Sequence, residues 1–322
     1  MATLAEIRAR LAASDKRATG NFAENGVYPH WNIAENSSAR VRFVPDGNTK
    51  NDFFWQERLL INLEFPGIKG QIDSKKLTIK VPCIQMWGEA CPILAQVRPM
   101  WNDVSLKDTA SKYWSKKSYL MSGFVRENPI GEDASKEREN PIRRFVINPQ
   151  IFTLIKSALM DPEMEEMPTD YTRGLDFIIS KTAKGAYADY TSSKWARKES
   201  PLTQDERDAI EKHGLFDLST FLPKKPTEVE LKAMVEMFEA SIAGQAYDLD
   251  RWGAYFKPYN VDVPGGNKTE QPGNKTEQAA PQHTDHVKAS APITSTVTEA
   301  ASKSAGSSKA EDILAKIRNR NK

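Results

Sequence analysis

Ala39-Arg40-Val41-Arg42-Phe43-Val44-Pro45-Asp46-Gly47-Asn48 decides how this chain is read. Val41 and Phe43 fall on one side of an extended segment and Arg40 and Arg42 on the other, and the Pro-Asp-Gly-Asn run supplies a turn. A two-residue period that ends in a turn predicts a strand. Trp55–Phe65, Lys76–Val81, Ser118–Val125, Arg143–Ile147 and Phe177–Lys181 read as further strands. Strands in this number, separated by turn signals, predict a barrel or sandwich rather than a βαβ array. No Gly-rich phosphate loop follows any of them, which weakens a nucleotide-binding reading.

Helical spacing interrupts the strands. Ile151, Leu154, Ile155 and Leu159 predict a helix over Pro149–Leu159. Thr203 with Glu206, and Thr227 with Glu230, are capping boxes opening helices over Thr203–Lys212 and Thr227–Ala243. Leu231, Met234, Val235 and Phe238 form the apolar stripe of the last, read as core packing. His213 precedes Gly214 at a predicted helix end and suits a dipole partner rather than a base.

The ends differ in character. Leu4, Ile7 and Leu11 predict a short amphipathic helix carrying Arg8 and Arg10, either packed on its own domain or docking on a neighbouring molecule. Beyond about residue 260, GNKTEQ occurs twice, aromatics vanish and Ala, Ser, Thr, Pro and Gln dominate; such a segment cannot bury enough apolar surface to offset its ordering entropy. Leu314-Ala315-Lys316-Ile317-Arg318-Asn319-Arg320 then echoes Leu4-Ala5-Glu6-Ile7-Arg8-Ala9-Arg10, by chance or because both ends compete for one docking site. The domain reading is therefore an arm at 1–20, a core at 21–258, a linker at 259–308 and a short amphipathic segment at 309–322.

Of 322 residues, 39% are hydrophobic and the formal net charge is +2, so a basic surface has to be local. There is no run of about 18 apolar residues and no signal-peptide pattern, which predicts a cytosolic protein with no membrane partner. Two cysteines, Cys83 and Cys91, are too few for a disulfide framework or a four-ligand zinc site. No nucleophile elbow or HExxH motif is present, and the acids from Asp161 to Asp170 read as a solvated loop, with a metal-dependent nuclease as the rival reading.

The informative feature is aromatics interleaved with cations. Lys112-Tyr113-Trp114-Ser115-Lys116-Lys117-Ser118-Tyr119 holds three of each and no acid. Lys181, Lys184, Tyr187, Tyr190, Lys194, Trp195, Arg197 and Lys198 share a stretch with one acid, Asp189, and Arg143-Arg144-Phe145 adds a third cluster. Binding of a single strand without sequence preference uses this mixture: cations follow the phosphates, and rings stack on unpaired bases at about 1–3 kcal/mol each. The bland reading is that the rings are core and the cations solvate the surface.

Taken in order, these motifs resemble the helix-destabilising single-stranded DNA-binding protein of T-even-type phages and their cyanophage-like relatives. Val41-Arg42-Phe43-Val44-Pro45 resembles its early strand and turn, and Cys83 with Cys91-Pro92-Ile93 its zinc subdomain. Lys116-Lys117-Ser118-Tyr119 resembles its basic Ser/Thr motif. Gly185-Ala186-Tyr187-Ala188-Asp189-Tyr190 and Ser193-Lys194-Trp195 resemble its later aromatic segment, and Phe216-Asp217-Leu218-Ser219 its following helical region. The similarity spans roughly 22–250. It implies a mainly β fold with α: an OB-fold core, an adjoining subdomain, a helical C-terminal part and a disordered tail. It implies cooperative, sequence-nonspecific binding of single-stranded DNA in replication, recombination and repair, in the cytoplasm of an infected bacterium. Self-association along DNA and contacts with phage replication and recombination proteins follow, with no enzymatic activity. An RNA-binding regulator or a structural scaffold is the alternative.

On this reading Lys116, Lys117, Arg143, Arg144, Lys194 and Arg197 contact phosphates. Tyr113, Tyr119, Tyr187 and Tyr190 stack on bases, joined by Trp87 and Trp101 from approximate position in the family. Arg8, Arg10, Lys16 and Arg17 would serve the cooperativity arm. The family's zinc uses one His and three Cys, but Leu63 lies near the expected His and Leu94 stands where the last Cys would be, so no metal and no other cofactor is expected. The family's tail is acidic, whereas 261–322 has seven acids against nine Lys or Arg.

Overall fold

The computed structural model describes residues 26–71, 74–130, 139–185 and 187–258. The arm with Arg8, Arg10, Lys16 and Arg17, the linker and the C-terminal segment lie outside the described residues. In chain order the elements are β1 (Ser37–Val44), β2 (Gln56–Phe65), β3 (Leu77–Pro82), α1 (Pro92–Val97), α2 (Lys107–Tyr113), β4 (Lys116–Glu127) and β5 (Arg143–Ile147). Then come α3 (Pro149–Leu159), β6 (Leu175–Lys184), β7 (Tyr187–Asp189), β8 (Lys194–Glu199), α4 (Gln204–His213), α5 (Glu228–Ile242) and α6 (Leu249–Trp252). The fold mixes α and β, and the strand pairs are antiparallel. None of the described helices is long and apolar enough to cross a membrane.

Two compact units share the chain. Of the described residues, the first holds 26–59 and 117–223, and the second 60–116 and 224–258. In the first unit the strands run β5, β4, β1, β6, with β7 and β8 both on the far edge of β6. Val41, Phe43, Met121, Phe145, Ile147, Phe177 and Ile179 fill one face, closed by Ile151, Phe152 and Ile155 of α3. Asn148 caps α3 by accepting from the Ile151 N–H at 2.9 Å, with Pro149 following it, as suits a helix start.

The other face of β1 departs from its predicted polar character. Arg42 is fully buried, and its guanidinium donates to the carbonyl oxygens of Pro168, Asp170 and Leu175, the last at 3.0 Å. Val44 and Phe124 pack there with Ile142, Leu202 and Ala209, so the sheet is covered on both sides. Two glycines make this possible. A Cβ on Gly123 would strike the Arg42 carbonyl oxygen where β4 pairs with β1, and one on Gly174 would strike the Arg42 guanidinium. Arg126 joins the layers by holding Asp176 and Glu206, each at 2.7 Å. Thr203 and Glu206 form the predicted capping box of α4.

In the second unit β2 and β3 form a hairpin, Leu60↔Pro82 through Phe65↔Leu77. Met234, Met237 and Phe238 of α5 are buried, and Tyr113 meets the Phe238 ring edge-on at 5.3 Å. The Ser241 hydroxyl donates to the Glu64 carbonyl at 2.7 Å, leaving its oxygen to accept from the Tyr113 hydroxyl at 2.8 Å. The second capping box, Thr227 with Glu230, opens α5.

All six predicted strands are present. β7, β8, α1, α2 and α6 have no counterpart among the predicted elements. Lys194–Glu199 shows no apolar alternation, because Trp195 is its one large apolar side chain and packs on Phe43 and Phe177. The helices α1 and α2 have 6 and 7 residues, too short for a 3.6-residue period to stand out.

Candidate nucleic-acid interface

β1 occupies one edge of β6 from Ser37↔Lys181 to Val41↔Phe177. The other edge takes β8 at Leu175, Phe177 and Ile178, and β7 at Thr182, Ala183 and Lys184. Between them the ladder is carried by a side chain: the buried Ser193 hydroxyl accepts from the Ser180 N–H at 3.0 Å and donates to the Ser180 carbonyl at 3.3 Å. The segment 187–199 is thereby held along β6 as a broken edge strand.

That edge presents Tyr187, which is 80% exposed, opposite Lys184 in register. Lys194, Arg197 and Lys198 are exposed on β8, and none has an ion pair among the described residues. Pleating puts Lys194 on the face opposite Trp195, and beyond Trp195 an irregularity interrupts the pairing with β6. The acids of the edge are occupied. Asp189 accepts from Thr191 at 2.7 Å and from Gln150, and these bonds hold its carboxyl below the usual range. Glu199 pairs with Arg173 at 3.0 Å. An exposed ring opposite one lysine, with further cations along the same edge and the local carboxylates engaged, can stack on a flat ring while the cations hold anions.

The other predicted residues of this unit are placed differently. Tyr190 is buried, touching His30 edge-on at 5.8 Å, and burial pushes its hydroxyl up; its face is covered, which corrects the stacking role assigned to it. Tyr119 is likewise buried and stacked on Phe152, centroids 3.4 Å apart, so its role is corrected to core packing. Lys117 is paired with Glu57 at 2.8 Å, a bond that raises its pKa. Arg143 is buried over the Tyr28 ring and donates to the Val27 carbonyl at 3.2 Å, which corrects its predicted exposure to phosphate. Arg144 lies 4.0 Å over the Phe221 ring; burial, then the nearby Arg58 charge, lower its pKa to about 10. β5, which bears both arginines, is at the opposite edge of this sheet from β7 and β8, so the sequence clusters do not form one patch here.

In the second unit Trp101 is 39% exposed and meets Trp114 edge-on at 5.9 Å, while Trp87 is half-buried at the end of the turn Ile84–Trp87. Lys116 is exposed, with its ammonium on the Ser111 carbonyl at 2.8 Å. Tyr113 is a core residue by its Phe238 and Ser241 contacts, which corrects its stacking role.

Sequence reasoning missed a ring ladder in the first unit. Phe53, 56% exposed, lies 4.7 Å from Trp55; Trp55 meets Phe152 edge-on at 5.2 Å, and Phe152 stacks on Tyr119. Phe53-Phe54-Trp55 is visible in the sequence, but it lies between the predicted turn Pro45–Asn48 and the predicted strand opening at Trp55, with no adjacent cation cluster.

Cys83 and Cys91 are buried partners: the hydrogen bond between them raises Cys83, helped by burial, and lowers Cys91. Leu63 and Leu94, at the positions where the resemblance calls for further ligands, are buried apolar side chains, so the residues present do not fit a four-ligand zinc. Among the described residues no three His, Cys, Asp or Glu side chains group as a metal site. In the acidic loop Glu166 pairs with Arg173, and Asp170 accepts from the Arg173 and Thr172 N–H groups, which lower its carboxyl to about 2. No protein-family model and no curated protein matches the chain.

Proposed function

We propose that this chain binds single-stranded DNA without sequence preference, as a non-enzymatic protein acting in phage replication, recombination and repair. The observation that carries the reading is the β7–β8 edge, where Tyr187 stands exposed opposite Lys184, where Lys194, Arg197 and Lys198 are exposed further along the same edge of β6, and where Asp189 and Glu199 are engaged elsewhere. The mechanism is differential binding. A surface that stacks on unpaired bases favours separated strands over duplex and draws the melting equilibrium toward them. Phosphate contacts release counterions, so affinity falls as salt rises. The antiparallel sheet with helix α3 against one face is compatible with an OB-type barrel, which we propose as the finer description of the first unit. Cooperative self-association through the N-terminal arm, replication partners and an infected bacterial cytoplasm belong to the same proposal.

Tryptophan fluorescence during titration with poly-dT and with duplex DNA, at several salt concentrations, tests it. Quenching by poly-dT with a steep salt slope and little duplex response is expected. No response to either polymer would mean that the chain is not a DNA-binding protein. Matched RNA oligonucleotides decide between DNA and RNA as the natural strand.

A further inference from the structure

We infer that Phe53, backed by Trp55, is a second stacking site for an unpaired base, with Lys50 and Lys156 beside it for the strand's phosphates. The inference rests on the single-strand reading and extends it to a surface which that reading does not use.

A singly exposed phenylalanine is ordinary. What sets Phe53 apart is the bracing of its loop. The buried Asp46 carboxylate accepts from the Asn48 N–H at 3.1 Å, the Leu218 N–H at 2.9 Å and the Asn51 amide at 2.8 Å. The same Asn51 amide donates to the Trp55 carbonyl at 3.1 Å, and its oxygen accepts from the Phe53 N–H at 3.2 Å. The loop is tied on both sides of Phe53 before any ligand arrives. Its ring is set against Trp55, tilted by 34°, and Trp55 rests on Phe152. A ring already ordered loses little entropy on binding, so more of the stacking energy appears as affinity.

The surroundings favour a nucleotide over an apolar partner. Lys50 is exposed three residues before Phe53, and Lys156 is exposed one turn after Phe152 on the same helix face. Neither has an ion pair among the described residues. Of the neighbouring acids, Asp46 is internally bonded and Glu57 is held by Lys117, leaving Asp52 exposed. Ring and cations thus match the base and phosphate of one strand.

The test measures binding of the full chain to a thymidine oligonucleotide and to an abasic strand of equal length. Phe53→Ala should weaken thymidine binding about 5- to 150-fold, the equivalent of one stacked base. Phe53→Tyr should restore it, the abasic strand should not distinguish the variants, and the melting temperature should not move. Unchanged thymidine binding by Phe53→Ala would overturn this site and leave the function standing. An equal loss on both strands would make Phe53 a structural residue and also overturn it. Failure of the unmodified chain to bind either strand would overturn both proposals.

Discussion

The Tyr119 and Phe152 rings lie face to face, centroids 3.4 Å apart and 10° from parallel, with Tyr119 almost wholly buried. A tyrosine in that position spends its ring on the core. Tyr119→Ala is expected to lower stability by about 3–5 kcal/mol, as for other large aromatic truncations, read from a denaturant titration. Tyr119→Phe should keep both stability and DNA affinity. A selective loss of DNA binding in the phenylalanine variant would contradict the core assignment.

Tyr187 should behave in the opposite way. With 80% of its surface exposed, its removal costs the fold little. Tyr187→Ala is expected to change stability by less than about 0.5 kcal/mol, yet to weaken single-strand binding by about 1–3 kcal/mol. Equilibrium binding and thermal melting on the same sample separate the two effects, and unchanged affinity would remove Tyr187 from the interface.

Lys194, Arg197 and Lys198 are read as phosphate contacts and not as readers of sequence. Each replacement by Gln should weaken all single strands alike and reduce the slope of log affinity against log salt by about 0.7. A loss confined to particular sequences, or an unchanged slope, would argue against that role.

Glu206 supplies a pH test. Burial pushes its carboxyl up, but the hydrogen bond and charge of Arg126, with the Thr203 N–H, pull it further down, so it sits below its ordinary value of 4.5. A carboxyl depressed by folding stabilises fully above its unfolded value, and that contribution is lost as pH falls through the folded one. Glu206→Gln should therefore be clearly less stable than the native chain at pH 7, and the gap should narrow as pH drops below 4.5. A gap independent of pH would show that the Arg126 contact adds nothing through charge.

Arg42 offers a structural test. Its guanidinium serves the carbonyls of Pro168, Asp170 and Leu175, which a methionine would leave without their donor. Arg42→Met is expected to cost about 3 kcal/mol or more, since each buried acceptor left unmet costs about 1–3 kcal/mol. Increased proteolysis within 168–175 would place the damage at the predicted segment.

Much of the scaffold was readable without coordinates. Six strands, the helix Pro149–Leu159 and both threonine capping boxes depend on neighbours within a few residues, so local periodicity and cap chemistry determine them. Tertiary structure decided which aromatics and cations face outward. Tyr113, Tyr119 and Tyr190 share a sequence environment with Tyr187, yet three are buried and one is exposed. Arg42 alternates like a surface residue and is sealed beneath the 168–175 loop. Phe53 lies outside the cationic clusters, yet a loop braced by Asp46 and Asn51 holds it in the open. Burial is set by the segment that packs from far along the chain, and no short window of sequence contains that partner.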